Sequence, residues 1–260
     1  MEDHSGHDSH GGSSHEPSRG YAPEGHAVPG GLALEANGLQ FDPSQTRFES
    51  GTPNDSTFRI VRDDGTPVTE FDDSHGERSH LIVVRRDMTI YQHLHPKLES
   101  DGTWRVEGFT LPEPGVYRAF VDVVVEGQPT TLGYDLFASG SWEADPRPAS
   151  TRSATAEGYD VELLTEEITA RQRSRLTFEV QRNGDPVSEL DEYLGALGHL
   201  VALREGDLAY LHVHPEDTAP DGGRVEFSAR FPTTGRYRLF LQMKPDGNLI
   251  TTSFDLTIEE

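Results

Sequence analysis

The 260-residue chain contains no cysteine, which excludes disulfides, thiolate metal sites and cysteine nucleophiles together. Its compartment therefore cannot be read from redox usage. No apolar run approaches the roughly 18 residues of a membrane-spanning helix, so a helical span is excluded. Beyond the first residue the only methionines are Met88 and Met243, so soft ligation of Cu(I) has little support. Basic residues are few, 22 against 45 acidic ones, and the formal net charge of -23 repels nucleic acid and anionic lipid. Screening acts over roughly 8 Å at physiological ionic strength, so this charge can gather cations but cannot make a specific site. The opening residues MEDHSGHDSH have neither the basic start nor the apolar stretch of a signal peptide. The expectation is a cytoplasmic protein or one numbered from behind a removed leader. Neither a Gly-rich phosphate loop nor a nucleophile elbow occurs, and no catalytic constellation is expected.

What the chain does have is turns. With 33% apolar residues, 26 glycines and 17 prolines, short strands joined by many turns are favoured over helices. Residues 1–30, rich in Gly, Ser, His, Pro and acid, have almost nothing to bury and predict a disordered tail. Residues 141–157 have the composition of a linker. Between and after these lie segments 31–140 and 158–260, and the two are copies of one another. A shift of 119 positions lays Gly65–Pro96 on Gly184–Pro215 without a gap, with 13 of 32 positions identical. Each half shows strand-like runs about ten residues apart with little helical periodicity, which predicts an all-β protein of two tandem immunoglobulin-like sandwiches. The Pro-x-x-Gly-x-Tyr runs Pro112–Tyr117 and Pro232–Tyr237 fit the turn that feeds a tyrosine-corner strand.

The chemistry lies in one repeated hairpin, HLIVVRRDMTIYQHLHP in the first half and HLVALREGDLAYLHVHP in the second. Side chains alternate along a strand, so His93 and His95 share a face with Tyr91, and His212 and His214 share one with Tyr210. A two-residue turn at Arg86-Asp87 would set His80 opposite His93, and the same count sets His199 opposite His212. A four-residue loop keeps the parity; a three-residue loop would move His80 to the other face. Cross-strand Cβ atoms lie about 5 Å apart, so His80, His93 and His95, and likewise His199, His212 and His214, could converge on one ion per sandwich. Three imidazoles suit Cu(II) or Zn(II), with Ni(II) and Co(II) next. Tyr91 and Tyr210 are the expected outer groups, with Asp122 or Gln242 as further candidates for a fourth ligand or a supporting contact. Pro96 and Pro215, lacking an N–H, should end strand pairing. His75 aligns with Leu194 and is left out. His4, His7, His10 and His15 in the tail form a flexible auxiliary set that could capture divalent ions weakly.

The Tyr-x-His-x-His-Pro hairpins, with His80 and His199, together with the His-rich start, resemble the secreted or membrane-anchored bacterial heavy-metal-binding β-sandwich proteins. More broadly the chain is similar to the periplasmic copper-resistance sandwiches. The resemblance implies an extracytoplasmic location and metal buffering, delivery or resistance. Its implied partners are metal ions and a membrane transporter or other metal-handling protein. Two competing expectations stand beside it. A tandem immunoglobulin-like adhesion or interaction module needs no metal. A cupin-type metalloenzyme would use the His93-x-His95-x3-Glu99 spacing, but Thr218 stands where the second copy of Glu99 would fall, and neither half has a histidine downstream of its H-x-H pair.

Overall fold

A computed structural model describes residues 29–74, 76–146, 148–216 and 222–260, and for His212 and His214 the backbone alone. The expected tail, with His4, His7, His10 and His15, and residues His75 and Thr218 lie outside the described residues. No helix occurs among the described residues, and none is long and apolar enough to cross a membrane. The first half folds into two five-stranded sheets, and in the second a single path of strands wraps through both layers. These are two immunoglobulin-like β-sandwiches in tandem. Eight strands build the face each sandwich turns toward the other. In the first half they are β1 (Ser79–Arg85), β2 (Tyr91–Leu94), β3 (Gly115–Val125) and β4 (Gln128–Ala138). In the second they are β5 (Gly198–Arg204), β6 (Tyr210–Pro215), β7 (Gly235–Pro245) and β8 (Ile250–Ile258).

Each sandwich closes over its own apolar core. In the first, Leu81 and Val83 of β1 point inward to Trp104, Tyr117 and Val121. In the second, Leu200 and Ala202 of β5 meet Phe227, Tyr237 and Leu239. The tyrosine corners form as the Pro-x-x-Gly-x-Tyr runs predict: the Tyr117 hydroxyl donates to Glu113 O at 2.8 Å and that of Tyr237 to Thr233 O at 3.1 Å.

Strand β1 is buried along its whole length, which the alternation of a half-exposed sandwich strand would not allow. The reason is a third apolar layer between the domains. Ile82, Val84, Met88 and Phe120 pack against Val201, Leu203, Leu208, Tyr210 and Phe240, with Tyr91 at the margin. Buried polar contacts add to it. Arg238 Nη1 donates to Met88 O at 2.6 Å, crossing from one domain to the other. Its counterpart Arg118 instead donates to Gly31 O at 2.7 Å and Leu32 O at 2.8 Å. Residues 30–32 thus form a strap between the domains: Tyr210 N donates to Gly30 O at 3.0 Å, and Gly31 N to Thr131 O at 3.2 Å. Glycine is required here, because Gly31 has φ +70° and an added Cβ would lie 2.4 Å from Phe120 Cδ1.

The stretch between the domains is held down on both sides. Arg85 Nη2 donates to Asp145 at 2.8 Å and its guanidinium lies 5.8 Å from the Trp142 ring. Arg236 Nη2 donates to Pro148 O at 2.6 Å. These contacts fix the linker against the domains it joins, so the arrangement of the two facing sheets is set by several separate attachments.

The hairpins differ in register from the two-residue turn. Arg85 N donates to Ile90 O at 3.0 Å, enclosing a four-residue loop, and Ile82 rather than His80 stands opposite His93. The second hairpin repeats this, with Arg204 N bonded to Ala209 O at 3.0 Å and Val201 opposite His212. Aspartate chemistry explains the longer loop. Asp87 Oδ1 accepts from Thr89 Oγ1 at 2.8 Å and Arg85 Nε at 2.9 Å, and Asp207 Oδ1 accepts from Ala209 N at 3.1 Å. Met88 and Leu208 then take the left-handed conformation, φ 61° and 59°. Four loop residues preserve the parity, so His80 stays on the face of His93 and is level with His95. Pro96 lies just beyond β2, and Pro215 is the last residue of β6, where it pairs with Phe227 in the other layer.

Candidate metal centre

The face β1 turns to the other domain carries His80, Ile82 and Val84, and β5 presents His199, Val201 and Leu203 in the same order. The apolar residues hold the middle of the contact. The histidines therefore fall together at one end of it, sheltered by both domains. His80 is 1% exposed and His199 5%, while His93 and His95 are half-buried.

Three imidazoles, His80, His93 and His199, bring one nitrogen each to within 4.8 Å of one another. The His93 ring lies 4.4 Å from that of His199 and 5.2 Å from that of His80, and His80 and His199 stack at 5.5 Å. His95 adjoins them, 4.6 Å from His93 and 5.4 Å from His80. Its Nε2 is buried and has no hydrogen-bond partner among the described residues. The cluster thus combines residues of both halves, where the sequence alone suggests one triad in each. For His212 and His214 the structure gives the backbone path on β6 and nothing about their imidazoles.

A polar chain runs through the centre. Ser74 O faces His80 Nε2 at 3.0 Å, His80 Nδ1 faces His93 Nε2 at 3.0 Å, and His93 Nδ1 faces Gln242 Oε1 at 2.6 Å. Gln242 comes from β7 of the other domain and is 5% exposed. Ser74 begins a tight turn in which Ser74 and Glu77 exchange backbone hydrogen bonds. The second domain places a matching turn at Tyr193–Ala196, and the Tyr193 ring stands edge-on to His93 at 6.4 Å. Ser74, Glu77 and Tyr193 escape sequence reading because Ser74 aligns with Tyr193 and Glu77 with Ala196, so the duplication marks none of them. Tyr91 and Tyr210 lie one layer down, where Tyr91 stacks on Phe240 at 4.2 Å and Tyr210 packs tilted against Phe120 at 5.2 Å. The Tyr91 hydroxyl makes no hydrogen bond among the described residues, and burial pushes its phenol well above the ordinary tyrosine value.

Burial first, and then the neighbouring His80, hold the His95 imidazole below the ordinary histidine pKa, with Glu77 opposing them. As pH falls through about 6.5 the unfolded chain takes up this proton first. The folded state takes it later, so stability is lost from about pH 6.5 down to the lower folded value and is unaffected above it. The expected result is a lower melting temperature for metal-free protein at about pH 5.5 than at about pH 8, with the difference reduced in His95→Gln. An undiminished difference in that variant would contradict a buried, neutral His95.

The cupin expectation fails on geometry. The histidines lie between two sandwiches rather than inside a barrel, and Glu99 is turned away, its Oε1 accepting from Arg105 Nε at 2.6 Å near the exposed edge of the other sheet. Among the described residues no sulfur reaches the site: Met88 lies in the apolar interdomain layer and Met243 in the second core.

Fold and site together define a tandem immunoglobulin-like β-sandwich module with a histidine cluster buried where its domains meet. The chain belongs to the family described as Domain of unknown function (DUF8832), which matches residues 34–140 and again residues 154–260. No curated protein matches the sequence. Among solved structures the chain is similar to the Escherichia coli adhesin FdeC, at 13% identity and a TM-score of 0.29, over 87% of this chain and 65% of that one. It is similar to Escherichia coli alpha-2-macroglobulin at 12% identity and a TM-score of 0.28, over 87% of this chain and 14% of the other. Domains 4 and 5 of the S-layer protein SbsC follow at 9% identity and a TM-score of 0.25, over 88% and 100% of the two chains. At such scores these likenesses carry no argument about function.

Proposed function

We propose that this tandem module binds one divalent transition-metal ion between its domains, with His80, His93 and His199 as ligands and His95 as the fourth. The observation that carries the reading is the convergence of the three nitrogens within 4.8 Å in an interface that buries two of the rings almost completely. The orphaned Nε2 of His95 beside them supports a fourth place. Four imidazoles, with neither sulfur nor a carboxylate converging beside them among the described residues, fit Zn(II) or Cu(II), with Ni(II) and Co(II) as weaker candidates. A closed set of protein ligands is the arrangement of a structural or storage ion; a catalytic ion keeps an open position. The role that fits is metal binding for buffering, delivery or resistance outside the cytoplasm, with His4, His7, His10 and His15 as a weaker capture set. A membrane transporter or other metal-handling protein would be the natural partner.

A second reading has its own support. His80, His93 and Gln242 already hydrogen-bond in a chain, so the cluster can serve as a polar contact that orients two domains of an adhesion or interaction module without metal. Titration of the full chain with Zn(II) against a competing chelator separates the two. The metal reading expects one tight ion per chain; the interaction reading expects none.

A further inference from the structure

We infer that Gln242 is a positioning residue for the metal, selecting from the second domain the tautomer in which His93 of the first presents Nε2 to the ion. The inference rests on the metal reading above and goes beyond it by naming what makes the ligands convergent.

Hydrogen-bond roles decide which nitrogen each imidazole presents. A neutral imidazole has one N–H and one lone pair, and whichever nitrogen meets an acceptor must carry the hydrogen. His93 Nδ1 meets the Gln242 amide oxygen at 2.6 Å. Gln242 is placed to do this because its Nε2 donates to Thr251 Oγ1 at 3.2 Å, turning the oxygen toward His93. The hydrogen of His93 is thereby held on Nδ1 and its Nε2 is a lone pair. His80 is set from the other side, where Nε2 donates to the Ser74 carbonyl at 3.0 Å, so that in the neutral ring Nδ1 carries the lone pair. The two lone pairs face each other across 3.0 Å, a contact that either a shared proton or a metal ion can bridge. The outer acceptors thus aim the inner lone pairs at a common point, the arrangement that orients histidine ligands in metal sites generally.

The duplication keeps an acceptor at the matching position of the first domain. On β3, Asp122 pairs with His80 as Gln242 on β7 pairs with His199. Asp122 accepts from Thr131 Oγ1 at 3.1 Å, the threonine that corresponds to Thr251. Both halves therefore keep an oxygen acceptor at this strand position with a threonine hydroxyl beside it. Because Gln242 lies on the opposite domain from His93, ligand orientation depends on the domains being docked.

The test uses the full chain and Zn(II) affinity measured by chelator competition for the wild type, Gln242→Ala, Gln242→Glu and Thr251→Val. Loss of an outer partner of this kind typically weakens binding about 10- to 100-fold, and Gln242→Ala should do so while leaving one ion per chain. Gln242→Glu restores a stronger acceptor for Nδ1–H and should bind within about threefold of the wild type or more tightly. Thr251→Val, which only frees the amide to turn, should fall between, and it decides the matter if the alanine variant fails to fold. Histidine 15N spectra should show His93 protonated at Nδ1 in the wild type and not in Gln242→Ala. Unchanged affinity in Gln242→Ala or Thr251→Val, or a Glu variant as weak as the Ala variant, would overturn the inference while leaving the metal reading intact. A wild type that binds no Zn(II) would overturn both.

Discussion

Saturating Zn(II) should raise the melting temperature of the wild-type chain and leave that of His80→Ala almost unmoved. An ion that binds only the folded state at 100 times its dissociation constant contributes about 2.7 kcal/mol. For a chain of this size each kcal/mol moves the midpoint by about 2–4 °C, so the expected shift is roughly 5–10 °C. His80 is the ligand to remove because it sits at the centre of the polar chain, within reach of Ser74, His93, His95 and His199. An equal shift in His80→Ala would place the stabilising ion somewhere else.

The second large effect belongs to the domain interface and needs no metal. Arg238 forms a two-pronged pair with Asp255, at 3.0 and 2.9 Å, while its third nitrogen crosses to Met88 O at 2.6 Å. The side chains are 8% and 9% exposed. Arg238→Ala leaves the Asp255 carboxylate buried without its partner, and breaking a buried pair in this way costs about 3–5 kcal/mol. The pair Arg62–Glu126, at 44% and 75% exposure, is the contrast: Arg62→Ala should change stability by about 0–1 kcal/mol. Denaturant unfolding measures both. A cost below about 1 kcal/mol for Arg238→Ala would mean that the pair and its cross-domain bond add little to the folded state.

Much of the fold is legible in the sequence because its signals are local and repeated. Turn residues every ten positions, the 119-residue offset and the two Pro-x-x-Gly-x-Tyr runs each have a single structural reading. The site is legible only in part. The shared face of His80, His93 and His95 depends on parity alone, and parity survived a loop of four residues in place of two. The exact register did not, because it depends on how Asp87 and Asp207 gather the loop. The joint nature of the cluster does have a sequence signal, in HLIVV and HLVAL. A strand of an antiparallel sandwich exposed on one face should alternate, and these runs do not, which says that both faces are covered. What covers them is the sister copy. Gln242 differs: it can be placed among the candidates from its strand position, but its partner His93 lies 149 residues away and on the other domain. The strap at Gly30–Gly31 has no pattern beyond two glycines, which read equally well as part of a tail.

Whether a single ion is shared by the two domains is decided by counting it in variants of each domain. Zn(II) stoichiometry, taken under chelator competition that suppresses weak sites, should be one per chain in the wild type. It should fall to near zero in His80→Ala, which alters the first domain, and equally in His199→Ala, which alters the second. Retention of the tight ion by either variant, or two ions in the wild type with one lost in each variant, would contradict a joint site and return the cluster to two independent halves.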